Sequence, residues 1–557
     1  MSALDWFVLC GTLLSIVAFG IWKTRKQSRD LEGFLKGGNS DRWWTVGLSV
    51  MATQASAITF LSATGQGYED GLRFVQIYFG LPLALILICA VFIPIYYRLK
   101  VYTAYEYLEQ RFDLKTRLLT ASLFLISRAF AAGITIYAPS IVLSTLFGWD
   151  LQITNLVIGL LVIAYTVSGG TKAVSITQKQ QMAVIFFGMF VAFYLILQGI
   201  PESVSFKDAL RLANWTGRLD AVDFSFNPET RYTIWSGIFG GFFLSLSYFG
   251  TDQSQVQRYI TATDTRQSRM GLLFNAVLKI PMQFFILLVG VMLFAFYQFE
   301  KPPIYFNSAQ LEQIATAQPD SVAAYQAKHD SLFQLKSIAA NEALAKDYPD
   351  NYQSLDKAMS QNRAAFKAYL GNALPDAESK DTDYVFLNFI LSYFPPGLIG
   401  LLLAVILSAA MSSTSSELNA LTSTAVVDYF KRLNWKSNKS DLQVSRLFTL
   451  FWGVLAIVFA LSASLVENLI QLVNIVGSLF YGPILGVFIC GFFLKKLSAK
   501  EVFPAALAAQ VIVISLFSIY GNKLSFLWLN PIGSVSLIAI ALLLRYFRSD
   551  EKASDSQ

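Results

Sequence analysis

Uninterrupted apolar stretches recur along this chain from residue 4 to residue 546. About thirteen of them are long enough to cross a ~30 Å hydrocarbon layer, which takes about 20 helical residues. A water-soluble fold with so many helices apolar on every side would keep almost no polar face. The pattern therefore predicts an all-α membrane protein of about thirteen transmembrane helices. Lys and Arg gather in alternate connections, "YYRLK", "QRFDLKTR", "RQSR", "YFKRLNWKSNK", "LKKLSAK" and "RYFRSDEK". Basic loops face the cytoplasm, so the chain is expected to run multi-pass through the plasma (inner) membrane, N-terminus outside and C-terminus inside. The opening "MSALDWF" has an acid and no base ahead of its apolar run, which reads as a retained helix rather than a cleaved signal.

These boundaries divide the chain into a leading helix and cytoplasmic loop (1–42), a first group of five helices (43–200) and an outer loop (201–232). A second group of five follows in two parts (233–299 and 383–495), and two trailing helices with a cytoplasmic tail close the chain (496–557). Five is odd, so the second group starts from the opposite side of the membrane and can mirror the first as an inverted repeat. Between the two parts, 300–382 is polar and rich in Ala and Gln, and is expected to be a helical extracytoplasmic insertion, a structural cap with a lid or partner site as the alternative. It carries the only histidine, His329, which is assigned to a solvated helix with no chemical role.

Composition agrees with this reading, with 54% of the 557 residues hydrophobic and 14% charged. The net charge of +6 then reflects topology rather than attraction to nucleic acid. Cys10, Cys89 and Cys490 sit in apolar runs without metal-ligand spacing. No fingerprint of a nucleotide, metal or nucleophile site suggests an enzyme. The partners implied are a small-molecule solute and the lipid bilayer, with no obligatory protein partner.

Chemistry is expected where polar atoms enter membrane helices, because an unsatisfied polar group in hydrocarbon costs several kcal/mol. "SVMATQASAITFLS" (49–62) places Thr53, Gln54, Ser56 and Thr59 in the first core helix. "SLSYFGTDQSQVQRYI" (245–260) does the same in the sixth, with Gly250 available to break it. Arg128 and Lys279 are lone bases inside otherwise apolar helices, functional candidates by default. The densest case is "SAAMSSTSSELNA" (408–420), with five consecutive hydroxyl side chains. At 100° per residue five in a row cover every face of a helix, more than back-bonding or helix packing needs. Sodium supplies a reason, since hydroxyls together with the carbonyls of a broken helix can replace its water without a full charge in the membrane. Ser412 and Ser413 lie one turn beyond the carbonyl of Ala409.

With these residues in view, the chain resembles the sodium:solute symporter family, which has the LeuT-like 5+5 inverted-repeat fold. "WWTVGLSVMATQASAITFLSATGQGY", "LKVYTAYEYLEQRF", "YTVSGGTKAVSIT", "DQSQVQRYI" and "SAAMSSTSSELNA" match its signatures in order. The resemblance implies a co-transported sodium ion held by the backbone oxygens of Ala52, Ala55 and Ala409 and the hydroxyls of Ser412 and Ser413. It implies solute contacts at Gln54, Ser56, Thr59 and Asn474, with Tyr248 closing over the solute and Tyr78 and Ser245 counted with them. A second sodium site would use Ser415 and Ser416 with an aspartate, but Gln178 stands in that place, so a second ion is in doubt. Arg128 resembles the arginine that holds a sialic-acid carboxylate, and Lys279 a lysine near the sugar in glucose and galactose carriers. The function implied is sodium-coupled import of a small polar solute, a sugar or a sugar acid such as sialic acid, by alternating access. The alternatives are another small carboxylate or a vitamin as solute, or a transporter-like membrane sensor, against which the short tail argues.

Overall fold

The computed structural model describes residues 2–24, 41–374, 378, 380–462, 468–521 and 523–554, and there the chain is helical, with no named strand. In chain order the helices are α1 (Ala3–Thr24), α2 (Trp43–Gln54), α3 (Ala57–Asp70), α4 (Leu81–Leu87), α5 (Ile93–Leu99), α6 (Glu106–Arg111) and α7 (Leu114–Phe147). Then come α8 (Leu151–Gln198), α9 (Phe206–Trp215), α10 (Gly241–Thr251), α11 (Gln253–Tyr259) and α12 (Thr265–Phe296). The insertion supplies α13 (Ser308–Ala317), α14 (Pro319–Lys346) and α15 (Asp350–Ala373). The rest are α16 (Thr382–Tyr393), α17 (Leu398–Thr424), α18 (Asp441–Ser462), α19 (Leu469–Phe493), α20 (Ala499–Tyr520) and α21 (Leu529–Ser554).

Eight helical segments among the described residues are long and apolar enough to span a bilayer, and three shorter apolar ones accompany them. The protein is a multi-pass membrane protein. α8 meets its neighbours as two limbs. Asn155 reaches the Ala460 carbonyl at 3.5 Å, Gly159 abuts Ile457 and Gly453 abuts Ile163, so the first limb runs antiparallel to α18. Further along, Gly188 abuts Leu402 and Gly199 abuts Phe296. The basic loop over 25–40 lies outside the described residues.

Two breaks shape the centre. α2 ends at Gln54, Ser56 is extended (φ −86°, ψ 176°) and α3 starts at Ala57. α10 gives way to α11 at Asp252 (φ −79°, ψ 120°), whose side chain accepts from the Ser254 amide at 2.8 Å. Both breaks thus fall near the start of the stretches from 43 and from 233 that the sequence reading expects to be related as an inverted repeat. Gly250, expected to make the second break, lies inside α10. Its missing side chain admits the Phe92 ring, and its carbonyl accepts from the Tyr96 hydroxyl at 2.7 Å. The break falls two residues later because the Asp252 carboxylate can cap the new helix and Gly250 cannot.

The insertion is helical, as its composition predicts. Its helices close over a cluster of Ile304, Tyr305, Ile314, Val322, Phe366 and Leu370. His329 corrects the sequence reading: it is buried at 2% exposure, with Nε2 3.0 Å from the Pro302 carbonyl oxygen. Burial holds its pKa below the ordinary value. The polar helix that carries it folds back on the chain leading into α13, and this shields the ring from water.

Candidate functional site

At the centre of the molecule a cavity of about 140 Å³ opens beside the break between α2 and α3. Gln54 and Ser56 face it from the break and Thr59 from the first turn of α3. Tyr78 and Lys279 line one wall, Ser245 and Tyr248 of α10 a second, Arg128 a third and Asn474 of α19 a fourth. Every residue predicted to touch solute therefore meets in one place, although these positions span the chain from 54 to 474. The local reason is the break itself: the end of a helix leaves backbone groups without partners in the helix, and Thr59 uses one, donating to the Gln54 carbonyl at 2.7 Å.

The five hydroxyls on α17 divide as a full turn of helix must. Thr414 donates to the Ala410 carbonyl at 2.9 Å with its oxygen 3.0 Å from that of Thr135, and Ser416 donates to the Ser412 carbonyl at 2.9 Å. Among the described residues the hydroxyls of Ser412, Ser413 and Ser415 are buried without a hydrogen-bond partner. Leaving a buried hydroxyl unmatched costs about 1–3 kcal/mol, so three within one turn mark a place built for something else to fill. Ser413 lines the same cavity as Thr53, Gln54 and Ser56. Ala52 and Ala55 are buried at the end of α2 and Ala409 is buried one turn before Ser413. Gln178 ties the two helices together. Its amide oxygen accepts from Ser49 at 2.8 Å, and its amide nitrogen lies 3.4 Å from Thr53 Oγ1 and 3.5 Å from Ser416 Oγ.

The two bases differ sharply. Arg128 donates to Asp252, to Tyr481 and, at 3.1 Å, to Glu417, and its guanidinium lies 5.5 Å from the Tyr248 ring. Glu417 also accepts from Thr135 at 3.0 Å, and Tyr481 donates to Asp252 at 2.9 Å. Arg128 thus lines the cavity already held by two carboxylates, which leave that trio one negative charge in excess. Asp252, Glu417, Tyr481 and Thr135 were not selected from the sequence. Glu417 carried a usable signal, as the one ionisable side chain within the apolar stretch of α17. Lys279 is buried beside the cavity, 5.7 Å from the Tyr78 ring, and no carboxylate pairs with it among the described residues. Tyr248 accepts from Gln255 at 2.7 Å, and Asn474 donates to the Ile470 carbonyl of its own helix at 2.7 Å, which leaves its amide oxygen toward the cavity.

Comparison with known proteins agrees with this geometry. The sequence profile of the Sodium:solute symporter family matches residues 34–321 and 363–520. The human Sodium/iodide cotransporter is 29% identical over 507 residues, covering 90% of this chain and 67% of its own length. Sodium/sialic acid symporter SiaT of Proteus mirabilis (strain HI4320) is 25% identical over 557 residues, covering 96% of this chain and 93% of its own. The solved structure of a Na+-coupled sialic acid symporter in a substrate-bound outward-open state superposes with a TM-score of 0.74 at 25% identity, over 97% of both chains. The chain belongs to the sodium:solute symporter family, and its co-transported ion is sodium.

Proposed function

We propose that this protein imports a small solute bearing one anionic group, a sugar acid by class, together with sodium. The single observation that carries the reading is Lys279, a buried cation beside the central cavity with no carboxylate of its own, while Arg128 is already held by two. An isolated ammonium in a membrane helix is costly unless it is paired, and an anionic solute would pair it. Around it Gln54, Ser56, Thr59, Ser245 and Asn474 offer donors and acceptors suited to hydroxyls, and Tyr248 offers an apolar face. At roughly 10–15 Å³ of such space per water, the cavity holds about ten waters, whose liquid volume of ~300 Å³ is that of a sugar-sized solute. The relatives named for iodide and sialic acid carry anionic solutes, which supports the charge though not the skeleton.

In this reading sodium sits where α2 ends, taking the carbonyl oxygens of Ala52, Ala55 and Ala409 and the unpartnered hydroxyls of Ser412 and Ser413. It is bound only while α2 and α17 are held together, and solute contacts on both sides of the break favour the same arrangement. Each ligand therefore raises the affinity for the other. Gln178 stands in place of a charge and its carbonyl is engaged by Ser49, so Ser415 and Ser416 hold no second ion and one sodium moves per cycle.

The test is sodium-dependent uptake of labelled sialic acid, other sugar acids, short carboxylates and neutral sugars into proteoliposomes. A sugar acid is expected to be taken up, and Lys279→Met to abolish its preference over the corresponding neutral sugar. Saturable sodium-dependent uptake of a neutral sugar alone would overturn the anionic assignment.

A further inference from the structure

An apolar crevice edged with basic side chains lies on the outside of the bundle, away from the central cavity. Where α8 and α18 run antiparallel, Gly159 against Ile457 and Gly453 against Ile163 bring the two helices close. Beyond this contact they part around an open space of about 500 Å³. Ala164 and Val167 of α8 and Leu447 and Leu450 of α18 line its apolar part. Lys439, just before α18, and Gln443 and Arg446 in the first turns of α18 line the rest. Among the described residues no acid lines this space. Asp441, the nearest acid in sequence, is bound to Lys431 at 2.6 Å, and neither Lys439 nor Arg446 has an ion-pair partner among the described residues.

Both halves of the crevice fit one depth of the membrane. From Leu447 a stripe of exposed apolar side chains continues along α18 through Phe451, Val454 and Val458, and Leu156 and Leu160 extend it on α8. Such a surface belongs in hydrocarbon. Leu447 to Val458 covers ~16 Å at about 1.5 Å per residue, roughly half of a ~30 Å hydrocarbon core and so the depth of one leaflet. Lys439 ends the connection "YFKRLNWKSNK", one of the basic loops that face the cytoplasm. Trp435 in the same connection is half exposed, and tryptophan settles at the level of lipid headgroups.

We propose that this crevice binds an anionic phospholipid of the cytoplasmic leaflet, with its phosphate held by Lys439, Gln443 and Arg446 and an acyl chain laid along the α8–α18 seam. The guanidinium of Arg446 can grip a phosphate through two parallel N–H groups. Gln443 uses its amide oxygen to accept from the Ser440 amide at 3.0 Å, which leaves its amide nitrogen as a donor. Any base beside an anionic leaflet is attracted to it, but a loop needs no crevice for that. The apolar slot selects a ligand with a chain, and the unpaired bases select one with net negative charge. Thr449 of α18 bonds Thr422 of α17 at 3.0 Å, so a lipid seated here braces the helix that carries Ser412 and Ser413, whichever solute is carried.

The experiment follows thermal melting of the purified full-length protein in a neutral detergent, titrated separately with phosphatidylglycerol, phosphatidylcholine and inorganic phosphate. Phosphatidylglycerol is expected to raise the melting temperature saturably, and the other two to leave it nearly unchanged. Half-saturation should need roughly tenfold more phosphatidylglycerol in Lys439→Gln/Arg446→Gln, where both side chains are exposed and the fold does not depend on them. Ala164→Trp, which fills the slot without altering a charge, should weaken the effect as well. Lys495→Gln/Lys496→Gln, two exposed bases of another cytoplasmic connection, should not. Equal stabilisation by phosphatidylcholine or by inorganic phosphate overturns the site. So does a phosphatidylglycerol titration that both crevice variants leave unchanged, or that the Lys495/Lys496 pair weakens equally, since that marks attraction to the leaflet at large.

Discussion

Arg128 and Lys279 are both bases inside membrane helices, and their surroundings give them opposite work. Arg128 holds Asp252, Glu417 and Tyr481 together at the wall of the cavity. Truncating it would strand two buried carboxylates, a change worth about 3–5 kcal/mol. Arg128→Ala is therefore expected to lower the thermal stability of the purified protein whether or not solute is present. Lys279→Met removes a cation that no protein carboxylate stabilises, so melting should be unchanged or raised while solute affinity falls by about 2 kcal/mol or more. Melting curves and binding isotherms for the two variants check this contrast; equal effects on both quantities would contradict it. The candidate solute residues were legible because polar side chains stand out in apolar runs. The partners of Arg128 were not, because Asp252 and Glu417 lie 124 and 289 residues along the chain, and a lone arginine reads the same whether its charge is spent or free.

Helices interrupted at Ser56 and Asp252 carry the site, and the sequence shows where each polar stretch lies better than where each helix stops. Gly250 is the more obvious breaker, yet a glycine packed against Phe92 stays helical and the aspartate that can cap the next helix sets the boundary. The insertion was legible as helical from composition, but not as a folded unit with a buried His329, since burial there depends on contacts with the chain around Pro302. Its attachment combines an apolar cluster around Leu212, Ala340 and Tyr352 with ion pairs, and the ion pairs depend on pH. Burial raises the Asp356 and Asp381 carboxyls, but the paired cations outweigh this and bring both below the ordinary value of 3.8. A depressed carboxyl contributes stability above its unfolded pKa and loses it as pH falls through the folded value. The insertion is thus expected to resist proteolysis near neutral pH and to become cleavable once the pH drops below 3.8. Cleavage that rises instead toward alkaline pH would contradict this ion-pair attachment.

Repeated apolar stretches made the membrane class readable, because bilayer thickness imposes one length on every spanning helix; of the about thirteen expected, eight helices among the described residues are long and apolar enough to span. The way those helices converge on a cavity beside Ser413 is a property of the packed molecule and could be anticipated only through family resemblance. Energetics follow from the whole cycle. One sodium entering down a tenfold gradient releases about 1.4 kcal/mol, and moving its charge through 100 mV adds about 2.3 kcal/mol. A monovalent anion carried with that ion cancels the second contribution. Accumulation should then approach about tenfold for a tenfold sodium gradient and should not respond to an imposed potassium-diffusion potential; strong voltage dependence would show either that more than one sodium accompanies the solute or that the solute is neutral. The most direct test of sodium coupling at the α2–α17 junction is uptake against a solute gradient into proteoliposomes, driven by an inward sodium gradient alone, for the unaltered protein and for Ser413→Ala. Concentrative uptake is expected, and it should vanish when sodium is equal on both sides. Ser413→Ala, and Ser412→Ala in the same direction, should raise the sodium concentration for half-activation by roughly tenfold or more. Concentrative uptake without a sodium gradient, or unchanged sodium activation in both serine variants, would contradict that coupling.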